Sequence, residues 1–229
     1  MTVSGTTNFE LNVAEYVEEA FERCGIDART GYDLRSARRS LNLMLADWAN
    51  RGLNRWTIEQ TELTLTAGVA EYLLGSSTID LLSAVIRTGT GDNQSDITIS
   101  RVSRDEFITI PTKNTPGRPT QYYVDRQINP KLKVWPTPDN TSVYKIVFDK
   151  LTRMDDAANA GNTLDMPFRF YPCLAAGLAY YIALKRAPER VQLLKAVYEE
   201  EFERAAAEDR DRASLSLTPS RDYYGFIGS

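Results

Sequence analysis

Histidine is missing from all 229 residues of this chain. Its absence removes both the commonest general base of neutral-pH catalysis and the commonest zinc ligand. Cysteine is nearly as scarce, present only as Cys24 and Cys173. The two stand far apart and neither belongs to a CxxC pair, so no zinc cluster or redox motif is encoded. Each lies among apolar residues, which reads as a small buried side chain in a reducing compartment rather than half of a disulfide. No Lys or Arg precedes Arg23, so the start lacks the charged region of a signal peptide. Long apolar runs are missing too. The longest, 174–184, falls short of the ~20 residues that cross a bilayer and is expected to be a core helix. No membrane and no cofactor are expected, and the protein should be made and used in the cytosol or in something assembled there.

What is present is an ordinary globular composition, with 42% hydrophobic and 25% charged residues and a net charge of -4. The length allows a sizeable core and a domain of mixed class. The first periodic segment, about 12–24, predicts a helix with Val13, Val17, Ala20 and Cys24 as its apolar stripe. Glu15, Glu18, Glu19 and Glu22 form its other face, and Gly25 stops it. A second helix is expected behind Asp33 as N-cap, with Leu34, Ala37, Leu41, Met44, Leu45 and Trp48 at helical spacing and Gly52 closing it. The two would form an antiparallel hairpin.

From Trp56 the period changes to two. Strands are expected over 57–66, 70–74, 84–88, 96–100, 121–125, 131–135 and 142–149, with a hairpin across Gly89-Thr90-Gly91-Asp92-Asn93. Ser103 and Glu106 have capping-box spacing, which predicts a short helix. Residues 111–138 hold six of the ten prolines, so that stretch reads as short strands between rigid turns. The sum is one antiparallel sheet of about six short strands between helical pairs. A helix over 165–186 should carry Pro167 in its first turn and be bent early by Pro172. Pro188 restarts the chain into a last helix striped by Val191, Leu194, Val197, Tyr198, Phe202 and Ala205. After Ala213 there is no period.

Few residues suggest chemistry. Asp155-Asp156 and Glu199-Glu200-Glu201 are the tight acidic clusters, and neighbours on a helix do not face each other. A glycosidase or cell-wall hydrolase would need two carboxylates about 5–10 Å apart, and no motif supports such a pair. Gly89-Thr90-Gly91 lacks the remaining glycines and the Lys-Ser/Thr end of a phosphate loop. Arg29, Arg35, Arg38, Arg39, Arg51 and Arg55 outnumber Asp33 and Asp47 around the second helix, and a basic face can bind phosphates. The first helix is as acidic as the second is basic. Glu15, Glu18 and Glu22 are therefore expected to meet Arg35, Arg38 and Arg39, within a subunit or between neighbouring subunits. The rival reading is a nucleic-acid-binding regulator. In the tail, Arg221, Tyr223, Tyr224, Phe226 and Ile227 are too few to form a core. They would either fold back on their own domain or anchor into a partner, as buried aromatics with Arg do at interfaces.

A series of phrases carries a resemblance: Leu41-Asn42-Leu43-Met44-Leu45-Ala46-Asp47-Trp48-Ala49-Asn50-Arg51-Gly52, then Gly117-Arg118-Pro119-Thr120-Gln121-Tyr122-Tyr123, then Leu132-Lys133-Val134-Trp135-Pro136-Thr137-Pro138-Asp139, then two helices and the aromatic tail. In that order they resemble the head-to-tail adaptor proteins of short-tailed, podovirus-type bacteriophages, the tail tubular protein A type. The resemblance implies an α+β fold: a helical bundle from residues 1–56 and 150–212, a β-rich insertion over 57–149 and an extended tail over 213–229. It also implies a virion protein without catalysis, forming a homo-oligomeric ring of twelve subunits. Its partners would be the portal protein above, reached by the tail, and the tail nozzle protein below. Genomic DNA would pass through without sequence-specific binding.

Overall fold

The structure, a computed structural model, describes residues 5–6, 8–27, 31–51 and 55–209. Its helices are α1 (Val13–Cys24), α2 (Gly31–Arg51), α3 (Arg104–Thr109), α4 (Tyr171–Arg186) and α5 (Val191–Glu208). Its strands are β1 (Ile58–Thr64), β2 (Glu71–Leu73), β3 (Thr78–Thr88), β4 (Ser95–Thr98), β5 (Ser100–Arg101), β6 (Gln121–Asp125), β7 (Lys131–Trp135) and β8 (Lys145–Thr152). The class is α+β, as the sequence and the resemblance suggested.

Helix α1 opens on a reciprocal cap. Asn12 Oδ1 accepts from the Glu15 N–H at 3.0 Å, and Glu15 Oε2 accepts from the Asn12 N–H at 2.7 Å. The next two donors, the N–H groups of Val13 and Ala14, go to the carbonyls of Asn162 and Ala160. The start of the bundle is thereby tied to the loop before α4. Gly25, at φ 69°, ends α1 in the left-handed conformation that favours glycine. The same capping box recurs at Ser103 and Glu106 before α3.

Helix α4 is the centre of the bundle. Cys173, Leu174, Ala176, Leu178, Ala179 and Ala183 are all fully buried, each large apolar member contributing about 1.5–3 kcal/mol through burial. Helices α1, α2 and α5 all pack on it, and α1 touches α2 only thinly. Thus the expected α1/α2 hairpin exists as two helices that each take α4 as their main partner. Tyr16 meets Tyr171 near the start of α4, and the Cys24 thiol donates to the Ala179 carbonyl, so α1 runs parallel to α4. Helix α2 runs the other way, with Arg186 bonded to Asp33 at one end and Trp48 packed on Phe170 at the other.

Two helix starts differ from expectation. Helix α2 begins at Gly31, so Asp33 is not its cap; it lies in the first turn, where its charge suits the helix dipole and bonds Arg186. Pro167 is extended and precedes a 3-10 turn, Phe168–Phe170. Pro172 sits in the first turn of α4, which needs no N–H there, so it starts the helix rather than bending it.

The strands form two four-stranded sheets, in the orders β1-β8-β3-β4 and β2-β7-β6-β5, rather than one. The β5–β6 pair is parallel, so the second sheet is mixed. The short return strand β2 does not pair with β1. Gly68 and Gly75, at φ 75° and 86°, turn it onto β7, and the Tyr72 hydroxyl donates to Val69 O at 2.8 Å. Leu81, Ile86 and Ile146 of the first sheet, Leu132 and Val134 of the second, and Leu65 just after β1 share one fully buried cluster distinct from the helical core. Among the described residues, no helix is long and apolar enough to cross a membrane.

Candidate assembly surfaces

Because Val13, Tyr16, Val17, Ala20, Phe21 and Cys24 face inward, helical periodicity leaves the glutamates of α1 on the outside. They rim a groove of about 450 Å³ between α1 and the start of α4. Its apolar walls are Phe9, Leu11, Tyr171, Pro172 and Ala175, and Phe9 is 71% exposed. Glu15 is engaged in the helix cap, and Glu19 bonds Arg23 at 2.7 Å. Glu18 and Glu22 are exposed and make no ion pair among the described residues.

Helix α2 buries Ala37, Ser40, Leu41, Met44, Leu45 and Trp48. Tyr32, Arg35, Arg38, Arg39 and Asn42 then line a shallow outer depression. Arg38 Nη1 donates to the Ala158 carbonyl at 2.5 Å, and Asn42 Oδ1 accepts from the Ala157 N–H at 2.8 Å. These bonds pin the loop before α4 against the basic face. Arg35 and Arg39 make no ion pair among the described residues. Lys185 adds to the positive field. Burial, then the charge of Arg39, pulls its ammonium below the usual lysine range.

The structure thus brings Glu15, Glu18 and Glu22 together and Arg35, Arg38 and Arg39 together, but does not bring one set to the other. Among the described residues, no ion pair links them. The expected pairing within a subunit is not made, which leaves the contact between neighbours as the surviving form of that expectation.

Other candidates are absorbed by the fold. Arg51 bonds Asp47 and Glu199, each at 2.8 Å, and its guanidinium lies 5.0 and 4.9 Å from the rings of Tyr198 and Phe202. The Glu199 hydrogen bond is the chief cause holding Arg51 well above the usual arginine range. It ties α2 to α5 instead of presenting a free cation. Glu200 and Glu201 bond Arg204, and Asp156 bonds Arg153. Gly89, at φ 82°, is a turn glycine whose Cβ would stand 2.2 Å from the Asn93 carbonyl oxygen, and it serves the β3–β4 connection. Both cysteines are free and buried, and burial pushes the Cys173 thiol up to about 12. No cluster of three or more metal-ligating residues occurs among the described residues. Arg29, Arg221, Tyr223, Tyr224, Phe226 and Ile227, with the side chain of Arg55, lie outside the described residues.

Sequence reasoning missed a third surface, where α3 lies on the second sheet. Phe107 stacks on Tyr123 at 5.5 Å, beside Arg104, Lys113 and Lys133, around a cavity of about 350 Å³. The capping box located α3, but no local signal tells that it lies against β6.

The helical bundle thus presents two surfaces of opposite sign, and Asp156, Glu199, Glu200 and Glu201 are held in internal ion pairs. The family model for the SU10 adaptor protein matches residues 11–221, and the chain belongs to that family. It is a phage head-to-tail adaptor, a structural connector of the virion. Among curated proteins, none matches the chain. Among solved structures, the chain is similar to a chain from the neck of an empty GTA particle computed with C6 symmetry. That likeness has 11% identity and a TM-score of 0.28, and covers 84% of this chain and 93% of that one.

Proposed function

We propose that this adaptor forms a closed homo-oligomeric ring, of twelve subunits, that docks under the phage portal, extends the DNA channel and supports the tail nozzle. Residues 1–56 and 150–212, apart from the last residues of β8 up to Thr152, are the bundle that builds the ring, residues 57–149 the β-rich insertion on the nozzle side, and residues 213–229 the portal-docking tail. In the tail, Arg221, Tyr223, Tyr224, Phe226 and Ile227 anchor in the portal protein. Ring and neck are assembled in the bacterial host cytoplasm. The subunit performs no catalysis and engages no membrane.

The observation that carries the ring is the separation of the two charged faces. A closed ring repeats one heterologous contact, so each subunit needs two different, complementary patches. The Glu18/Glu22 rim and the Arg35/Arg39 face are such a pair: opposite in sign, exposed and without ionic partners among the described residues. Charge complementarity of this kind fixes register and excludes wrong partners. The acidic overall balance suits a conduit that must let DNA slide, since a basic lumen would hold phosphates.

A charge swap tests this. Glu18→Arg with Glu22→Arg should abolish self-association in the presence of portal rings, as should Arg35→Glu with Arg39→Glu. An equimolar mixture of the two variants should restore assembly, read by light scattering. Failure of the mixture, with each variant folded by circular dichroism, would remove the α1–α2 contact. A nucleic-acid reading of the same arginines predicts instead a salt-dependent gel shift that Arg35→Glu/Arg39→Glu abolishes and no mixture restores.

A further inference from the structure

Paired charges give a contact its specificity, while its strength comes from an apolar side chain buried at the centre. Helix α2 carries one placed for that purpose. We infer that Leu43 of one subunit seats in the groove between α1 and α4 of its neighbour, with α2 of the first running antiparallel to α1 of the second. The inference rests on the proposed contact between the α1 and α2 faces, and supplies its anchor and its direction.

Direction comes from the fold and from the symmetry of a ring. Within the subunit α1 runs along α4, since Tyr16 meets Tyr171 and Cys24 meets Ala179. Helix α2 runs against α4, since Asp33 meets Arg186 and Trp48 meets Phe170. Successive subunits in a ring of twelve differ by a rotation of only about 30°. A neighbour's α2 therefore keeps nearly the direction of the subunit's own α2, which opposes α1. A parallel alignment of the two faces would need an inverted neighbour, and a ring about a single axis contains none.

Register comes from spacing. Arg35, Arg39 and Leu43 follow one another at intervals of four on the outer side of α2, away from the buried Ala37, Leu41, Met44 and Trp48. Each interval is a rise of about 6 Å. Glu22 and Glu18 stand the same interval apart on α1, read in the opposite direction. With Arg35 at Glu22 and Arg39 at Glu18, Leu43 falls one turn nearer the start of α1, close to the level of Tyr16 and hence of Tyr171. There the groove is apolar, walled by Phe9, Leu11, Tyr171 and Pro172. Leu43 is 59% exposed and Phe9 71%, and the contact covers both.

The same pattern locks the register. A slip of one turn sets Leu43 against Glu18 and leaves Arg35 without a carboxylate, which penalises the wrong alignment. Tyr32, as exposed as Leu43, lies at the other end of α2's outer side. In this register it falls beyond Glu22, past the apolar walls.

Self-association of the full-length chain in the presence of portal rings, read by light scattering, tests the anchor. Leu43→Ala should weaken it by about tenfold or more with an unchanged melting temperature, Leu43→Met should keep most of it, and Tyr32→Ala should weaken it far less than Leu43→Ala. Disulfide trapping reads the register. Leu43→Cys and Phe9→Cys chains with tags of different size are mixed and mildly oxidised, beside Leu43→Cys mixed with Arg23→Cys; Cys24 and Cys173 are buried and do not compete. The expected result is a mixed dimer several-fold more abundant with Phe9→Cys. Native-like association of Leu43→Ala, a greater loss for Tyr32→Ala, or a cross-link no stronger with Phe9→Cys than with Arg23→Cys overturns the inference. Rescue by the mixed charge-swap variants then still leaves the α1–α2 contact standing, whereas failure of that mixture removes contact and anchor together.

Discussion

Gly177 lies where α4 passes closest to its neighbours: a Cβ there would stand 2.5 Å from the Met44 sulfur and 2.7 Å from the Tyr198 ring. Gly177→Ala should therefore destabilise the protein by about 1–3 kcal/mol through overpacking, even though alanine is the better helix former. Urea unfolding reads it, and a stabilised variant would mean that the bundle is looser than drawn. Beside it, the buried Trp48 Nε1–H donates to the Tyr198 hydroxyl at 2.7 Å. Tyr198→Phe removes that acceptor and leaves a buried donor unsatisfied, at a cost of about 1–3 kcal/mol. An unchanged midpoint would show that Trp48 finds another acceptor. Neither effect was legible in the sequence. Trp48 and Tyr198 read only as members of separate apolar stripes, and their pairing depends on how α2 and α5 cross α4.

Elements show the same division between local and distant information. The cap at Ser103/Glu106, the stop at Gly25 and the β3–β4 hairpin were readable, because each depends on a few neighbouring residues; the Asn12/Glu15 cap has the same spacing but was not read. The partition into two sheets was not, because β2 pairs with β7 across 60 residues of chain between Glu71 and Lys131. The acidic and basic helix faces were legible as compositions, but only packing shows that they do not pair with each other within the subunit. Ion pairs across strands give the β region a pH dependence. Hydrogen bonds from Lys145, Lys131 and Arg87 hold the carboxyls of Glu62, Glu71 and Asp96 below their usual range. A carboxylate depressed in the folded state stabilises above its unfolded value, near 4, and that stabilisation is lost as pH falls through the folded value. The melting temperature should therefore drop between about pH 5 and pH 3, with a shallower drop in Glu62→Gln. Identical slopes in the two proteins would show that the Lys145 and Arg87 contacts contribute nothing. Because these groups are exposed, the effect should be small and weaken with salt.

At the scale of the whole molecule, the chain is a connector subunit of the virion. Its internal ion pairs fasten helix to helix and strand to strand, while Glu18 and Glu22 on α1 and Arg35 and Arg39 on α2 stay exposed and unpaired among the described residues. Family membership gives the connector role; the proposed ring contact and portal-docking tail would give it a route. The most direct test is light scattering of the full-length chain mixed with purified portal rings, beside a variant carrying Tyr223→Ala, Tyr224→Ala and Phe226→Ala. The account predicts that the native chain adds to the portal as a closed set of subunits with one discrete increase in mass, and that the tail variant adds nothing while remaining folded. Portal and native chain running as separate species would contradict it.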